Sequence, residues 1–329
     1  MKKLCYLFLF ASLSFSPGVL KAGEKSFRIW LDQFRSEAVE QGISAETVNE
    51  AFANVDYNAD IIEADRNQAE FTITYADYYS NFVNNRVIRR GAELYNTHRD
   101  LLAEISSEYG VPAKYIIALW AVETRYGKHK GSRNIFEPLA MLSYDDRRSA
   151  FFEKQLIHAL RMLDEGHAEM EQLNGSWAGA TGQVQFIPTS FYKYAEDYNG
   201  DGRRDIWSTL PDIFASAANL LSENGWQHDK RWGRRVQMPP DFPRDLIGTE
   251  TKKSLDAWAE RGVRKNNGRP LPTPAGFQAS ILQPDGPGTQ AFIVYENFAT
   301  LKNWNSSNKF ALTVGRLADQ IHNKAYQLR

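Results

Sequence analysis

The stretch LWAVETRYG, Leu119–Gly127, sets a carboxylate, Glu123, among residues that read as the buried face of a helix. Ile116, Leu119, Trp120 and Glu123 fall at i, i+3, i+4 and i+7, so they share one side, and Tyr126 follows three residues later. Gly110-Val-Pro112 marks the start of this helix and Gly127 its stop. A lone buried acid is costly unless it is paired, hydrogen-bonded or neutral. Desolvation beside Trp120 disfavours the anion, and so does the negative end of the helix dipole, because Glu123 sits in the last turn. Both effects should raise its pKa. A carboxylic acid still protonated near neutral pH is what a glycosidic oxygen needs as a proton donor. The plainer alternative is that Glu123 pairs with Arg125 or another cation, or lies at the edge of the stripe.

Downstream, NGSWAGATGQVQFIPTSF (Asn174–Phe191) places three glycines within nine residues, which lets a backbone approach a ligand closely. It lacks the Gly-Lys-Ser/Thr of a phosphate loop and the glycine spacing of a dinucleotide site. Ser176, Gln183 and Gln185 are neutral hydrogen-bonding groups set between Trp177 and Phe186, a mixture suited to an uncharged polar ligand such as an N-acetyl sugar. A plain turn before a proline-capped helix is the alternative.

DYNGDGRRDIW (Asp197–Trp207) carries oxygen ligands at loop positions 1, 3 and 5, namely Asp197, Asn199 and Asp201. Gly202 follows at position 6, and Arg203 at position 7, where an EF-hand uses a backbone carbonyl. Position 12 is Ser208 rather than Glu, so Asp205 or Asp212 would have to supply the missing carboxylate. The alternative is an Asx-rich turn with solvated acids. The six histidines show no ligand spacing, and no GxSxG elbow occurs.

Composition narrows the class further. Lys2 and Lys3 precede an apolar run, Leu4–Phe15, and Ala22 offers a cleavage site, which together read as a secretory signal over residues 1–22. Cys5, the one cysteine, falls inside it, so the mature chain has no disulfide framework and no lipidated cysteine to anchor it. The formal charge of −1 becomes −4 without Lys2, Lys3 and Lys21, which argues against a nucleic-acid binder. No later stretch is long and apolar enough to span a membrane.

Ser26 to about Met170 has a helical period, and a further helix runs from about Pro211 to Gly225. Composition shifts at Met238, where proline-rich loops surround one short helix, Lys252–Arg261. FQASILQ and QAFIVYENF, separated by PDGPG, read as a β-hairpin, and the last residues return to a helical period. The expected class is mainly α (α+β), with a small β element near the C-terminal end.

Taken together, these stretches resemble the lytic murein transglycosylase B family, whose catalytic domain is lysozyme-like. ALWAVETRYGKHKGS is similar to the family's catalytic-glutamate motif, and LAMLSYDDRRSAFF to the segment after it. NGSWAGATGQVQFIPTSF, DYNGDGRRDIW and WNSSNKFALTVGRLAD resemble three later motifs in the same order. The resemblance runs from about Phe27 to the end. It implies one domain over 23–329: a helical region and lysozyme-like core over about 27–238, a β-containing region over about 239–300, and a C-terminal helix over about 308–327.

By that resemblance Glu123 is the single general acid and base. Ser176, Gln185 and Asn305 contact sugars. Trp304 and Phe310 line the same groove at places where the family usually has tyrosines, so a phenolic hydrogen bond there is expected to be lost. Asp212 would be the fourth carboxylate of a structural calcium, and no cofactor is required for the chemistry. The implied partner is the peptidoglycan glycan strand, the implied compartment the periplasm. The implied reaction cleaves the bond from N-acetylmuramic acid to N-acetylglucosamine and closes a 1,6-anhydro ring. A hydrolytic muramidase with Asp145 or Asp146 as second carboxylate, and a non-catalytic wall-binding protein, are the alternatives.

Overall fold

The computed structural model describes residues 17–66, 73–272 and 276–328. At its centre lies the helix Ala113–Thr124, whose sequence AKYIIALWAVET is apolar on nearly every side. A helix of that kind belongs inside a core rather than on its surface. All but Lys114 and Glu123 of this helix are buried, which corrects the expectation of a single apolar stripe.

The C-terminal helix Asn308–Gln327 starts where Ser307 Oγ accepts the Phe310 N–H at 3.4 Å. It packs on Ala113–Thr124 and on the helix Asn85–Thr97. Two glycines allow this approach. A Cβ on Gly91 would lie 2.7 Å from Ile321, and one on Gly315 would lie 2.3 Å from the Trp232 ring. Asp319 then ties three parts of the fold together, accepting from Lys114 Nζ at 2.7 Å, Arg231 Nη2 at 3.0 Å and Trp232 Nε1 at 3.1 Å. On the other side of the core, the helices Phe136–Tyr144 and Ser149–Asp164 pack together. Phe27 of the first helix, Pro17–Glu40, meets the edge of the Tyr144 ring at 5.4 Å.

Two short strands, β1 (Arg133–Asn134) and β2 (Asn174–Gly175), pair antiparallel and pin the glycine-rich loop beside the core. The larger sheet contains β3 (Gly233–Gln237), β4 (Gly248–Ser254), β5 (Arg264–Lys265), β6 (Gln278–Leu282) and β7 (Ala291–Val294), in the order β4-β6-β7-β3-β5. β6 and β7 are the expected hairpin, with Ile281 opposite Ile293. Their side chains divide between two cores. Ile281 and Ile293 join Val236, Leu255 and Trp258 in a second core, whereas Leu282, Phe292 and Val294 face the main one. Trp258 is fully buried, and its indole N–H is satisfied by the Ala279 carbonyl at 2.9 Å.

β3 begins at Gly233, before the region over about 239–300 where the β element was expected, because GRRVQ carries too little apolar pattern to signal a strand. The expected helix Lys252–Arg261 shortens to Leu255–Glu260, since Lys252–Ser254 completes β4 and Ser254 Oγ caps the helix at the Ala257 N–H, 3.2 Å away. With 55% helix and 10% strand, the chain is mainly α with a small β element, as expected. The apolar run Leu4–Phe15 and Cys5 lie outside the described residues, and the first helix passes through Ala22. Among the described residues, no helix is long and apolar enough to cross a membrane.

Candidate active site

Glu123 occupies the half-exposed spot at the end of the central helix, so its carboxylate meets solvent where its neighbours do not. The helix ends at Thr124, three residues before Gly127, because Arg125 (φ 53), Tyr126 (φ 63) and Gly127 (φ 79) are all left-handed. Two consecutive non-glycine residues in that region cost about 1–2 kcal/mol each, so the turn must be held from outside. Tyr126 donates its hydroxyl to the Val87 carbonyl at 2.7 Å. The Arg125 guanidinium donates to the carbonyls of Asn81 and Phe82, at the end of the helix Tyr75–Phe82. The cation that the sequence offered to Glu123 is therefore spent as a cap.

Gln183 fastens this turn to the glycine-rich loop. Its Oε1 accepts from Trp120 Nε1 at 2.7 Å, its Nε2 donates to the Trp207 carbonyl at 2.9 Å, and its own carbonyl accepts from Thr124 Oγ1 at 2.7 Å. Gly127 is required beside it, since a Cβ there would lie 2.1 Å from Gln183 Oε1. The sequence groups Gln183 with Ser176 and Gln185 as polar groups suited to a ligand, whereas its amide is bonded to Trp120 and Trp207 within the fold. Its alternation with Gln185 was the only signal available.

Trp304 reaches Glu123 from the far end of the chain, and its Nε1 donates to Glu123 Oε1 at 2.8 Å. An indole at this position thus makes a hydrogen bond of its own to Glu123. Trp304 ends the helix Glu296–Trp304, and its ring lies 5.4 Å from that of Phe186 in the glycine-rich loop. Asn305 follows as the cap of that helix, its Oδ1 accepting the Ser307 N–H at 3.0 Å.

In the loop, Ser176 Oγ accepts from the N–H groups of Ala178 at 3.3 Å and Ala180 at 3.1 Å. Those two bonds use its acceptor positions, so the hydroxyl proton is left to donate. Gln185 sits at φ 49, a strained conformation for a side-chain-bearing residue. Its Nε2 donates to the carbonyls of Lys130 at 3.1 Å and Gly182 at 3.0 Å, which leaves Oε1 to accept. Phe310 does not line the groove as expected. It is 3% exposed, in the first turn of the C-terminal helix.

Glu123, its indole partner and the loop bearing two neutral polar groups therefore meet at one place. Residues 26–319 match the family described as Transglycosylase SLT domain. The chain belongs to this transglycosylase family.

Among its relatives, membrane-bound lytic murein transglycosylase B of Escherichia coli is 32% identical over 247 residues, covering 74% of this chain and 66% of that protein. The chain thus spans about two thirds of that relative's length. SltB3 from Pseudomonas aeruginosa, solved in complex with NAG-anhNAM-pentapeptide, superposes with a TM-score of 0.85 at 40% identity, covering 90% of this chain and 79% of that one. The E. coli lytic transglycosylase Slt35 in complex with calcium gives a TM-score of 0.78 at 27% identity, covering 90% of this chain and 94% of that one.

In the acidic loop Asp197–Trp207, Gly202 lies at φ 89 and Asp197 Oδ2 accepts the Gly202 N–H at 2.7 Å. Asp197 Oδ1 takes the N–H groups of Gly200 at 2.9 Å and Asp201 at 3.0 Å. Asn199 Nδ2 donates to Asp201 Oδ2 at 2.9 Å. The Arg203 side chain turns outward to Glu169 at 3.2 Å. Asp212, expected as the fourth carboxylate, is fully buried and takes the backbone N–H groups of Tyr198, Asn199 and Asp205 at 2.9, 3.3 and 2.9 Å. Among the described residues, no group of three or more His, Cys, Asp or Glu side chains is arranged to hold a metal. Asp197 and Asp212 thus each accept several backbone N–H groups of the loop.

Proposed function

We propose that this chain is a peptidoglycan lytic transglycosylase that cleaves the β-1,4 bond between N-acetylmuramic acid and N-acetylglucosamine, with Glu123 as its one acid and base. The observation that carries the proposal is the setting of Glu123: a solvent-reaching carboxyl on a buried helix, with one oxygen held by the Trp304 indole. An indole N–H donates and cannot accept, so Oε1 cannot point a proton at it. In this proposal the acidic proton sits on Oε2 and is the one given to the substrate.

In the proposed cycle Glu123 gives that proton to the glycosidic oxygen, and the C1–O bond of the muramic residue breaks. The substrate's N-acetyl group stabilises the cationic carbon. The ionised Glu123 next takes the proton from the muramic O6, whose oxygen bonds to C1. The products are an N-acetylglucosamine with a new hydroxyl and a 1,6-anhydro-muramic end, and the carboxyl is protonated again. Ser176 as donor and Gln185 as acceptor hold the acetamido groups, beside Asn305 and the Trp304 ring. A hydrolase needs a second carboxylate for water or for a covalent intermediate. Asp145 does not serve well, because Arg66 holds it at 2.8 Å at the end of the helix Phe136–Tyr144, and Asp146 is exposed.

Because the substrate lies in the cell envelope, the signal segment over residues 1–22 and a periplasmic location belong to the same proposal. N-terminal mass spectrometry of protein recovered from the envelope fraction checks both. For the activity, purified glycan strands are digested with wild-type protein and with Glu123→Gln, and product ends are counted. Anhydro ends from the wild type alone support the proposal, and release by the variant at the wild-type rate rejects it.

A further inference from the structure

β3, the segment Met238–Ile247 and the turn Gln283–Ala291 enclose a cavity of about 440 Å³, within the size range of ligand sites. It lies among residues other than Glu123, Trp304 and the glycine-rich loop. Arg235 and Arg244 line it together with Gln237, Gln290, Phe242 and Ile247. A third cation stands behind Gln290. Arg316 donates to Gln290 Oε1 at 3.2 Å and to the Tyr75 hydroxyl at 3.1 Å, and lies 3.7 Å from the centroid of the Tyr79 ring. All three of these partners are neutral.

Burial and then the neighbouring Arg316 hold Arg235 below the usual arginine range, and no carboxylate is among the groups that act on it. The acid in the nearby turn, Asp285, is engaged elsewhere, capping the helix Tyr75–Phe82 at the N–H groups of Tyr75 and Ala76. Asp241 and Asp245 are exposed on the segment Met238–Ile247 and do not line the cavity. In a chain of formal charge −1, this hollow therefore carries a local surplus of positive charge. A guanidinium is suited to bind a carboxylate through two parallel hydrogen bonds. Glutamine amides and apolar walls beside them suit a peptide.

We propose that the Arg235–Arg244 cavity binds the terminal carboxylate of the peptide carried by a glycan substrate, an inference that rests on the peptidoglycan reading above. The helix Tyr75–Phe82 connects the two places. Tyr75 and Tyr79 touch Arg316, and the carbonyls of Asn81 and Phe82 receive Arg125 beside Glu123. Eight helical residues span about 12 Å, and an extended five-residue peptide reaches up to about 17 Å. An extended pentapeptide thus outspans this helix, which is one part of the path from Glu123 to the arginines.

The test is calorimetric titration of the full chain with a free pentapeptide, with its C-terminal amide and with inorganic phosphate. The free acid binds, the amide binds at least about tenfold more weakly, and phosphate is weaker than the free acid. The double variant Arg235→Gln/Arg244→Gln, whose residues are exposed, loses about tenfold for the free acid and binds peptide-free glycan as the wild type does. Equal binding of acid and amide, phosphate binding as tight as peptide, or an unaffected variant overturns the inference. Anhydro ends formed from peptide-free strands, with no peptide binding, reject this site and leave the proposed function standing. Peptide binding that obeys the acid–amide contrast, with no strand cleaved, keeps the site and rejects the function.

Discussion

The indole nitrogen of Trp304 lies 2.8 Å from Glu123 Oε1, across 181 residues of sequence. A hydrogen bond to a charged group contributes about 1.5–3 kcal/mol. Trp304→Phe removes the donor and keeps a ring against Phe186, so kcat should fall about tenfold or more. Trp304→Tyr restores a donor and should recover much of that loss. Equal rates for Phe and Tyr in a steady-state assay of anhydro product would show that the ring matters only as packing.

The turn after the helix predicts a contrast between glycines. At Gly127 a new Cβ meets Gln183 Oε1 at 2.1 Å and the backbone is at φ 79; at Gly166 nothing lies within 4 Å and φ is 70. Gly166→Ala pays only for its left-handed backbone, about 1 kcal/mol. Gly127→Ala also displaces Gln183 from Trp120 and should cost about 2–3 kcal/mol. Urea unfolding of both variants measures the difference.

What the sequence disclosed and what it hid follow from the range of each interaction. The C-terminal helix Asn308–Gln327 was legible because its period and its Ser307 cap are local. The hairpin of β6 and β7 was legible for the same reason. β3 was not, because GRRVQ becomes a strand only by pairing with β7 and β5 on either side. Glu123 could be picked out by its helix, but its surroundings could not. Trp304 appeared as a departure from a tyrosine, and only the fold shows that the departure supplies a donor. Phe310 appeared as a groove residue because motif order does not tell which side of a helix faces the cleft.

The acidic loop gives a pH dependence. Burial alone would raise the Asp205 carboxyl, but hydrogen bonds from Ser208 Oγ, the Trp207 N–H, Thr209 Oγ1 and the Ser208 N–H hold it below its usual value of 3.8. A depressed carboxylate contributes stability above its unfolded pKa and loses it as pH falls through the folded value. Asp205→Asn should therefore cost about 1 kcal/mol at neutral pH. The gap to wild type should shrink below pH 3.8. Denaturation at a series of pH values tests the sign.

The same loop should keep its shape without an ion, since Asp197 and Asp212 already accept backbone N–H groups. Melting temperatures in excess chelator and in millimolar calcium should agree closely. A calcium-dependent rise of several degrees would mean that Asp212 leaves those N–H groups to bind the metal.

The most direct test of the single-acid mechanism is digestion of glycan strands in water enriched in oxygen-18, followed by mass spectrometry of the new chain ends. The predicted result is 1,6-anhydro ends that carry no label, formed by the wild type and lost with Glu123→Gln. Labelled reducing ends would show that water attacks the muramic carbon, and would contradict a reaction run by Glu123 alone.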